Sequence, residues 1–277
     1  MRLLVGAATD VGRVRQQNED VLELRAAKGL FIVCDGMGGA LAGEVASGLA
    51  ARTIVAELNG RGPANGGPPA DGDAGCLPKT SRLAEAVRRS NQVIYEQAQR
   101  EPGQAGMGTT VVGVWIADGV ASVAHVGDSR AYLWRHGDLA PLTRDHSLVE
   151  AQVQAGILDR QASLAAEHQN VLLRVLGREP QVDVELNEVP VQPGDYVLLC
   201  SDGLTRMVPD SMLADAILLC RDPQRICDYL VDQANGYGGA DNITVVVVKV
   251  ERQWWARLAD AWAWPGRGHD AETHPAV

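Results

Sequence analysis

A short apolar run that ends on an aspartate constrains this chain more than any other feature. Residues Leu30 to Cys34 are apolar and partly β-branched, which is typical of a buried strand. Asp35 ends the run, and Gly36-Met37-Gly38-Gly39 follows at once. Glycine allows positive φ and a close approach of the backbone to a ligand, and the small and apolar residues from Leu41 to about Leu58 predict a helix. Strand, acid, glycine turn and helix together favour a site that binds an ion or an anion.

Two other interpretations of this segment have to be weighed. Asp-Gly is also a common turn dipeptide, so Asp35-Gly36 taken alone favours a plain turn. A nucleotide-binding loop does not fit, because Leu41 stands where G-x-G-x-x-G requires its third glycine. The case for a site therefore depends on partners elsewhere in the chain.

The composition is that of a globular protein with an acidic balance. Of the 277 residues, 46% are hydrophobic, which is enough for the core of one large domain or two small ones. Only 4% are aromatic, so Val, Leu, Ile and Ala must fill most of that core. The formal net charge of -10 argues against binding to a nucleic-acid backbone, which needs clustered Lys and Arg, and it suits a protein that collects cations.

Cysteine usage and the N-terminus indicate the compartment. The five cysteines include no C-x-x-C pair, and Cys34 and Cys200 lie inside apolar runs, so we expect a reducing environment. The first apolar stretch ends at Thr9-Asp10 and is too short for a signal peptide. No uncharged run approaches the roughly 20 residues of a membrane span. We therefore expect a cytoplasmic monomer with no membrane span.

The rest of the chain predicts a single domain over residues 1–251, with a C-terminal tail at 252–277. A Gly- and Pro-rich stretch at 59–80 predicts a flexible insertion, and the polar region at about 145–176 predicts a flap. Thr80 or Ser81 is the expected cap of a helix that follows the insertion, and two more helices are expected between Pro209 and Ala234. Further strands are predicted at Leu3–Ala8, Val21–Ala26, Thr109–Ala117, Val120–Val126, Arg130–Trp134, Val182–Val189, Tyr196–Ser201 and from Ile243 onward.

The last strand indicates how the layers stack. Residues Ile243 to Val248 lack strict polar alternation, so both faces of this strand should be covered. A sheet that packs on a second sheet, with helices outside, covers both faces.

Four aspartates share one local setting, an acid beside glycine at the end of an apolar strand. Asp35 and Asp202 follow predicted strands, Asp241 precedes one, and Asp128 lies between two more. Carboxylates gathered at a common rim repel one another unless hard cations bind between them. All-oxygen ligands without clustered His or Cys select Mg²⁺ or Mn²⁺. Two such ions can share a water, lower its pKa and direct it at phosphorus, with Arg15 as a fork donor to the phosphate.

Eight motifs carry a resemblance to a known family. They are Gly12-Arg13-Val14-Arg15 with Asn18-Glu19-Asp20, Asp35-Gly36-Met37-Gly38-Gly39, Gly43-Glu44-Val45-Ala46-Ser47, Met107-Gly108-Thr109-Thr110, His125-Val126-Gly127-Asp128-Ser129-Arg130-Ala131-Tyr132, Leu142-Thr143-Arg144-Asp145-His146-Ser147, Cys200-Ser201-Asp202-Gly203-Leu204 and Asp241-Asn242-Ile243-Thr244-Val245. On this ordered set the chain resembles bacterial members of the metal-dependent type 2C (PPM) protein serine/threonine phosphatases.

The resemblance implies a fold and an activity. The fold is an α+β, four-layer α-β-β-α sandwich with a metal centre at one end of two antiparallel sheets. The activity is hydrolysis of phosphoserine and phosphothreonine in proteins by a metal-bridging water, without a covalent intermediate. Two core Mn²⁺ or Mg²⁺ ions are implied, with a third, looser one, and so is a partner Ser/Thr kinase.

The resemblance also implies which residues hold the core ions. Asp35 would bridge both ions, and Gly36 would contribute its carbonyl oxygen to one of them. Asp202 and Asp241 would complete the ligands of the other.

Further residues would surround that core. Asp20 would hold metal-bound waters with help from Glu19, and Arg15 would bind the substrate phosphate. Asp128 would bind the third ion together with Asp202.

The sequence departs from the family pattern at two places. Met37 stands where many eukaryotic relatives carry a histidine proposed as general acid, so the proton donor to the leaving group is not identified. His168-Gln169-Asn170 replaces the usual His-Pro of the flap, which leaves the substrate contacts of the flap open.

Other enzyme classes fit less well. Cys200 and Cys76 both begin a C-x5-R pattern that a cysteine phosphatase would need, but Asp202 would repel a phosphate in the first and Pro78 removes a donor from the second. Gly127-Asp128-Ser129 does not match the G-x-S-x-G of a serine hydrolase.

Two binding roles remain as alternatives. A pseudophosphatase that binds phosphoproteins or a kinase is disfavoured because every expected acid is present. His125 and His146 are expected to be structural hydrogen-bonding residues, and the four tryptophans of the tail are expected either to pack on the body or to contact a partner.

Overall fold

The structure is a computed structural model that describes residues 1–38, 42–60, 75–159 and 171–252. The strands in these ranges are β1 (Arg2–Asp10), β2 (Asp20–Arg25), β3 (Leu30–Met37), β4 (Gly108–Thr109), β5 (Val111–Ala117), β6 (Val120–Val126), β7 (Arg130–Arg135), β8 (Asp138–Pro141), β9 (Glu185–Pro190), β10 (Tyr196–Cys200) and β11 (Ile243–Glu251). The α-helices are α1 (Ala42–Asn59), α2 (Pro78–Arg100), α3 (Leu148–Gln154), α4 (Asp202–Thr205), α5 (Asp210–Cys220) and α6 (Pro223–Gly236).

The strands form two antiparallel sheets. One sheet has the order β1-β11-β10-β7-β8, and the other has the order β2-β3-β5-β6-β9, with β4 paired to the end of β3. Neighbours in sequence are joined by tight turns where the chain allows positive φ. Asp118 and Gly119, for example, have φ of 53° and 76° and connect β5 to β6.

Alternation along the central strands explains why the two sheets stack. In β3, Phe31 and Val33 lie in an apolar cluster with residues of both sheets, while Ile32 and Cys34 pack with residues of α1 and α2. Because side chains alternate between the two faces of a strand, each central strand contributes to a core between the sheets and to a second core under a helical layer. The α+β, four-layer sandwich predicted from the sequence is therefore confirmed.

The structure corrects three details of the predicted elements. Helix α2 begins at Pro78 after Leu77, so neither Thr80 nor Ser81 caps it; the Thr80 hydroxyl is buried and bonds to that of Ser122 at 2.7 Å. Strand β9 begins at Glu185 instead of Val182. Strand β8 was not predicted, because its four residues lie at a sheet edge and only Leu139 packs on a core cluster.

Several predicted features lie wholly or partly outside the described residues. They are residues 61–74 of the predicted insertion, 160–170 of the predicted flap, which include His168-Gln169-Asn170, 253–277 of the predicted tail, and Gly39. None of the helices in the described ranges has the length and apolarity that a bilayer crossing requires.

Candidate metal centre

The topology brings the four strand-end aspartates to the same end of the sandwich. Strands β3 and β6 are both antiparallel to β5, so they run parallel to each other, and Asp35 and Asp128 lie at the same edge. Strands β10 and β11 are antiparallel, which places Asp202, after β10, beside Asp241, before β11. A hydrogen bond joins the two sheets at this edge.

That hydrogen bond runs from Ser201 to Asp20. The Ser201 hydroxyl donates to Asp20 Oδ2 at 2.7 Å, while Asp20 faces Asp35 across the β2–β3 pair. Burial raises the pKa of Asp20 to about 7, and the negative charges of Asp202 and Asp241 add to that rise. Within the described residues, Asp20 Oδ1 is buried and has no hydrogen-bond partner. Such an oxygen is able to accept a hydrogen bond from a water or to bind a cation.

Asp35 is fixed by its backbone rather than by its carboxylate. Its N–H donates to Thr110 Oγ1 at 3.0 Å, and its carbonyl oxygen accepts from Thr110 N at 2.9 Å and from Thr109 Oγ1 at 2.8 Å. The carboxylate is thus left for other ligands. Burial raises its pKa well above the usual range, and the nearby charges of Asp20 and Asp202 raise it further.

Gly36 sits where a side chain has no room. A Cβ at this position would lie 2.2 Å from the carbonyl oxygen of Gly43 and 2.7 Å from that of Glu19. Its own N–H donates to Glu19 O at 3.2 Å. The start of α1 and the end of β3 can therefore approach each other only because residue 36 is glycine.

Asp202 and Asp128 share a basic partner that the sequence analysis had considered only as part of a C-x5-R pattern. Arg206 Nη2 forms an ion pair with Asp202 Oδ2 and lies 3.5 Å from Asp128 Oδ2. Burial raises the pKa of both carboxyls, and Arg206 opposes the rise in each. Asp202 Oδ1 is a second buried oxygen without a hydrogen-bond partner among the described residues.

Asp241 contacts the predicted phosphate ligand. Arg15 Nη2 donates to Asp241 Oδ2 at 2.8 Å, and this hydrogen bond raises the pKa of Arg15. Asp241 Oδ1 accepts from the N–H of Asn242 at 2.9 Å. The Asn242 side chain in turn donates to the carbonyl oxygens of Val11 and Gln17 and accepts from Glu19 N. Asn242 thereby fixes the loop that carries Arg15.

The donor set fits divalent cations with a preference for oxygen. Asp20, Asp35, Asp128, Asp202 and Asp241 converge on one end of the sandwich, as the sequence predicted, and two of their buried oxygens have no protein partner in the described ranges. Burial and mutual repulsion raise pKa values here, and a hard cation bound between the acids would offset both effects by favouring the ionised carboxylates. The sequence analysis missed the contacts made by Ser201, Asn242 and Arg206.

His125 and His146 lie near this end and were both predicted to be structural hydrogen-bonding residues, but their contacts in the structure differ. His146 Nδ1 accepts from Gly127 N at 3.1 Å, so its proton is on Nε2, which lies 3.2 Å from Glu185 Oε2. His125 is buried and stacks on His146 with ring centroids 4.7 Å apart, but neither of its ring nitrogens has a hydrogen-bond partner within the described chain. The prediction is thus correct for His146 and wrong for His125.

These residues do not form a second metal site as they stand. His125, His146 and Glu185 each place a ligand atom within 4.8 Å of the others. A metal would have to bind His146 through Nε2, which carries the proton in this arrangement. His146 acts instead as a link between Glu185 and the backbone of Gly127, next to Asp128.

The cysteine alternatives fail on burial and geometry. Cys200 is fully buried inside β10, and burial raises its pKa to about 12. Its would-be partner Arg206 is held by carboxylates. In the second pattern, residues Pro78 to Arg82 form the first turns of α2 instead of an anion-binding loop.

Paired antiparallel sheets flanked by helices, with carboxylates gathered at one end, are the architecture of the metal-dependent protein phosphatases. The chain matches the protein phosphatase 2C family over residues 11–233, and it belongs to that family. It is 38% identical to the serine/threonine phosphatase stp of Listeria welshimeri over 248 residues, which cover 87% of this chain and 93% of that protein.

Solved structures agree with this assignment. The chain is similar to the serine/threonine phosphatase PstP/Ppp of Mycobacterium tuberculosis, with a TM-score of 0.80 and 34% identity over 91% of this chain and 100% of the other. It is also similar to the catalytic domain of PstP in complex with two manganese ions, with a TM-score of 0.77 and 33% identity over 90% and 99% of the two chains.

Proposed function

We propose that the carboxylate end of the sandwich is the active site with which this protein serine/threonine phosphatase hydrolyses phosphoserine and phosphothreonine in proteins. The enzyme class follows from the family and the fold. The roles of individual residues are inferred from their geometry. The observation that carries them is the convergence of buried carboxylates whose oxygens lack protein partners.

Two Mn²⁺ or Mg²⁺ ions are the cofactors. Asp35, the carbonyl oxygen of Gly36, Asp202 and Asp241 would hold these ions, with Asp35 as the ligand common to both. The chemistry that the ions would supply is a water of lowered pKa and a positive charge against the phosphoryl group, which would allow direct hydrolysis without a covalent intermediate. Asp20 orients water at the edge of this group through its free Oδ1, while Ser201 fixes its other oxygen.

Arg15 binds the substrate phosphate in this proposal. Its guanidinium reaches Asp241 from the loop that Asn242 fixes, so it is already at the rim of the centre. A guanidinium can give two parallel hydrogen bonds to phosphate oxygens. Glu19, whose pKa is raised by burial, lies at the base of the same loop and assists Asp20.

A cleft with a volume of about 550 Å³ is lined by Met37, two residues after Asp35, and by residues between Leu172 and Asp183. Its charged lining is mixed, because Glu179 and Asp183 accompany Arg174 and Arg178. Met37 has no proton to give, so the leaving group must receive its proton from another source.

Further parts of the proposal extend beyond the core ions. Asp128 binds a third, looser ion together with Asp202. Residues 1–251 form a single catalytic domain, with the insertion at 59–80, the flap at about 145–176 and a tail at 252–277. The protein acts as a cytoplasmic bacterial signalling monomer against a partner Ser/Thr kinase.

An assay with a phosphothreonine peptide and Mn²⁺ tests the proposed centre. Loss of a ligand costs several kcal/mol of transition-state stabilisation, so Asp241→Ala should lower kcat/KM about 100-fold or more. Asp138→Ala is the matched control, because Asp138 is an exposed aspartate in the edge strand β8. Equal, metal-independent rates for wild type and Asp241→Ala would rule the proposal out. A pseudophosphatase would bind the peptide and release no phosphate.

A further inference from the structure

The carboxylates that are proposed to hold a third ion already have a cation between them. Asp202 is the first residue of α4, and Arg206 follows the last residue of that helix, one turn later. Arg206 Nη2 contacts Asp202 Oδ2 and lies 3.5 Å from Asp128 Oδ2. Asp128 lies in the loop between β6 and β7, and Asp202 and Arg206 follow β10, which pairs with β7. A single guanidinium nitrogen therefore connects two loops that meet at the metal end of the sandwich.

The burial of the three groups explains why the bridge matters. The side chains of Asp128 and Asp202 are 8% and 12% exposed, and that of Arg206 is 26% exposed. Burial makes both carboxyls costly to ionise, and the charge of Asp202 adds to that cost for Asp128, so a positive partner stabilises their ionised forms. Arg206 supplies it from the protein itself, and its partial exposure leaves it a path out to solvent.

We infer that Arg206 is a built-in cation that occupies the position between Asp128 and Asp202 and competes with a divalent ion for it. The inference rests on the proposed role of Asp128 and Asp202 as ligands. In the resting enzyme the guanidinium holds this position, and only the two core ions bind tightly. A third ion binds when it displaces Arg206, so the side chain sets the metal concentration at which the position fills.

Charge and shape make different demands on the position. A guanidinium satisfies the two carboxylates in one plane, whereas a divalent ion with oxygen ligands also needs room for waters. Arg206→Ala removes the positive charge, so a divalent ion should then bind between Asp128 and Asp202. Arg206→Lys keeps the charge, so it should still exclude the ion.

Equilibrium dialysis against Mn²⁺, with the bound ion counted by electron paramagnetic resonance, measures the effect directly. We expect two tightly bound ions in wild type and Arg206→Lys, and three in Arg206→Ala, with third-site affinity raised about tenfold or more. Arg206→Ala combined with Asp128→Asn should return to two. Arg100→Ala, which removes an equal charge from an exposed pair with Glu96, is the control and should also bind two.

Each outcome decides a separate point. A count of three in wild type, or of two in a folded Arg206→Ala, overturns the role of Arg206. A count of zero in wild type overturns the proposed metal centre itself. Thermal unfolding of every variant in excess Mn²⁺ verifies that each is folded. If Arg206→Ala is not folded, Arg206→Gln, which also removes the positive charge, takes its place, and a third-site affinity equal to that of wild type in Arg206→Gln would contradict competition by charge.

Discussion

Arg15 Nη2 donates a hydrogen bond to Asp241 Oδ2 at 2.8 Å, although the two residues are 226 positions apart in the sequence. The proposed phosphate ligand is thus held against a proposed metal ligand before a substrate arrives. Asp241 also accepts from Asn242 N, which keeps its two oxygens in a fixed orientation. The Asp241 carboxylate therefore contacts the proposed phosphate ligand Arg15 and is itself a proposed metal ligand.

Replacement of Arg15 should weaken substrate binding and leave metal binding intact. A hydrogen bond to a charged group is worth about 1.5–3 kcal/mol, so Arg15→Ala should reduce kcat/KM for a phosphothreonine peptide roughly 10- to 100-fold. Arg15→Lys should recover part of the loss, because it keeps the charge but not the fork. Steady-state kinetics at saturating Mn²⁺ measures the effect, and Arg13→Ala is a control in the same loop. A loss of bound Mn²⁺ in Arg15→Ala would contradict the assigned role.

The acids and the strands that carry them could be predicted because their signals are local. An apolar run that ends on Asp beside Gly is visible within ten residues, and it placed Asp202 correctly just after β10. Asp35 was predicted to end its strand, but β3 continues through it to Met37, because Gly36 and Met37 pair with the short strand β4. The burial of both faces of β11 followed in the same way from its unbroken valines.

The contacts that organise the site could not be predicted, because they join distant positions. Ser201 meets Asp20 across 181 residues, and Asn242 meets Gln17 across 225. Neither residue type has a local pattern that distinguishes it from an ordinary turn residue. The bridge made by Arg206 was missed for a related reason, since its partner Asp128 is 78 positions away in the loop between β6 and β7.

Gly36 offers a test of close packing at the metal end. Gly36→Ala would force a Cβ to within 2.2 Å of the Gly43 carbonyl, so β3 and α1 must separate. We expect a loss of stability of about 1–3 kcal/mol together with a loss of activity. Gly103→Ala is the matched control, because a Cβ there meets nothing within 4 Å and the glycine does not have positive φ. Chemical denaturation of both variants with Mn²⁺ present measures the difference, and equal stabilities would contradict the packing argument.

Chelation and thiol alkylation should have opposite effects. Cys200 is fully buried and burial raises its pKa to about 12, so an alkylating reagent should not reach it in the folded enzyme. A chelator should abolish hydrolysis, and added Mn²⁺ should restore it. Mass spectrometry after alkylation identifies the modified residues, with Cys220 as the partly exposed comparison. Inactivation that coincides with modification of Cys200 would argue for thiol chemistry.

His125 should make the protein sensitive to acid without a role in catalysis. Burial lowers its pKa to about 4, with the neighbouring His146 as the next cause. The backbone of Ser129 lies near the ring and opposes the shift, yet neither ring nitrogen meets hydrogen-bond geometry with any part of the described chain. The imidazole is therefore neutral in the folded state, whereas in the unfolded chain it titrates at about 6.5.

The sign of the pH effect follows from these two values. At His125 the unfolded chain binds more protons than the folded one between pH 6.5 and 4, so the contribution of this residue to stability falls as the pH falls, by about 3 kcal/mol in total for a shift of this size. Asp20 and Asp35, whose pKa values are raised in the folded protein, act in the opposite direction, so the contribution of His125 is the difference between the wild-type and variant profiles. His125→Leu removes the titrating group and two unpaired nitrogens, so it should remove this contribution and cost little stability at pH 7. Denaturant unfolding from pH 7 to 4 in a chelating buffer measures the slope. His136→Asn, at an exposed position with φ of 53° that asparagine tolerates, should keep the wild-type slope. An unchanged slope in His125→Leu would mean that the ring is protonated, or paired, in the folded protein.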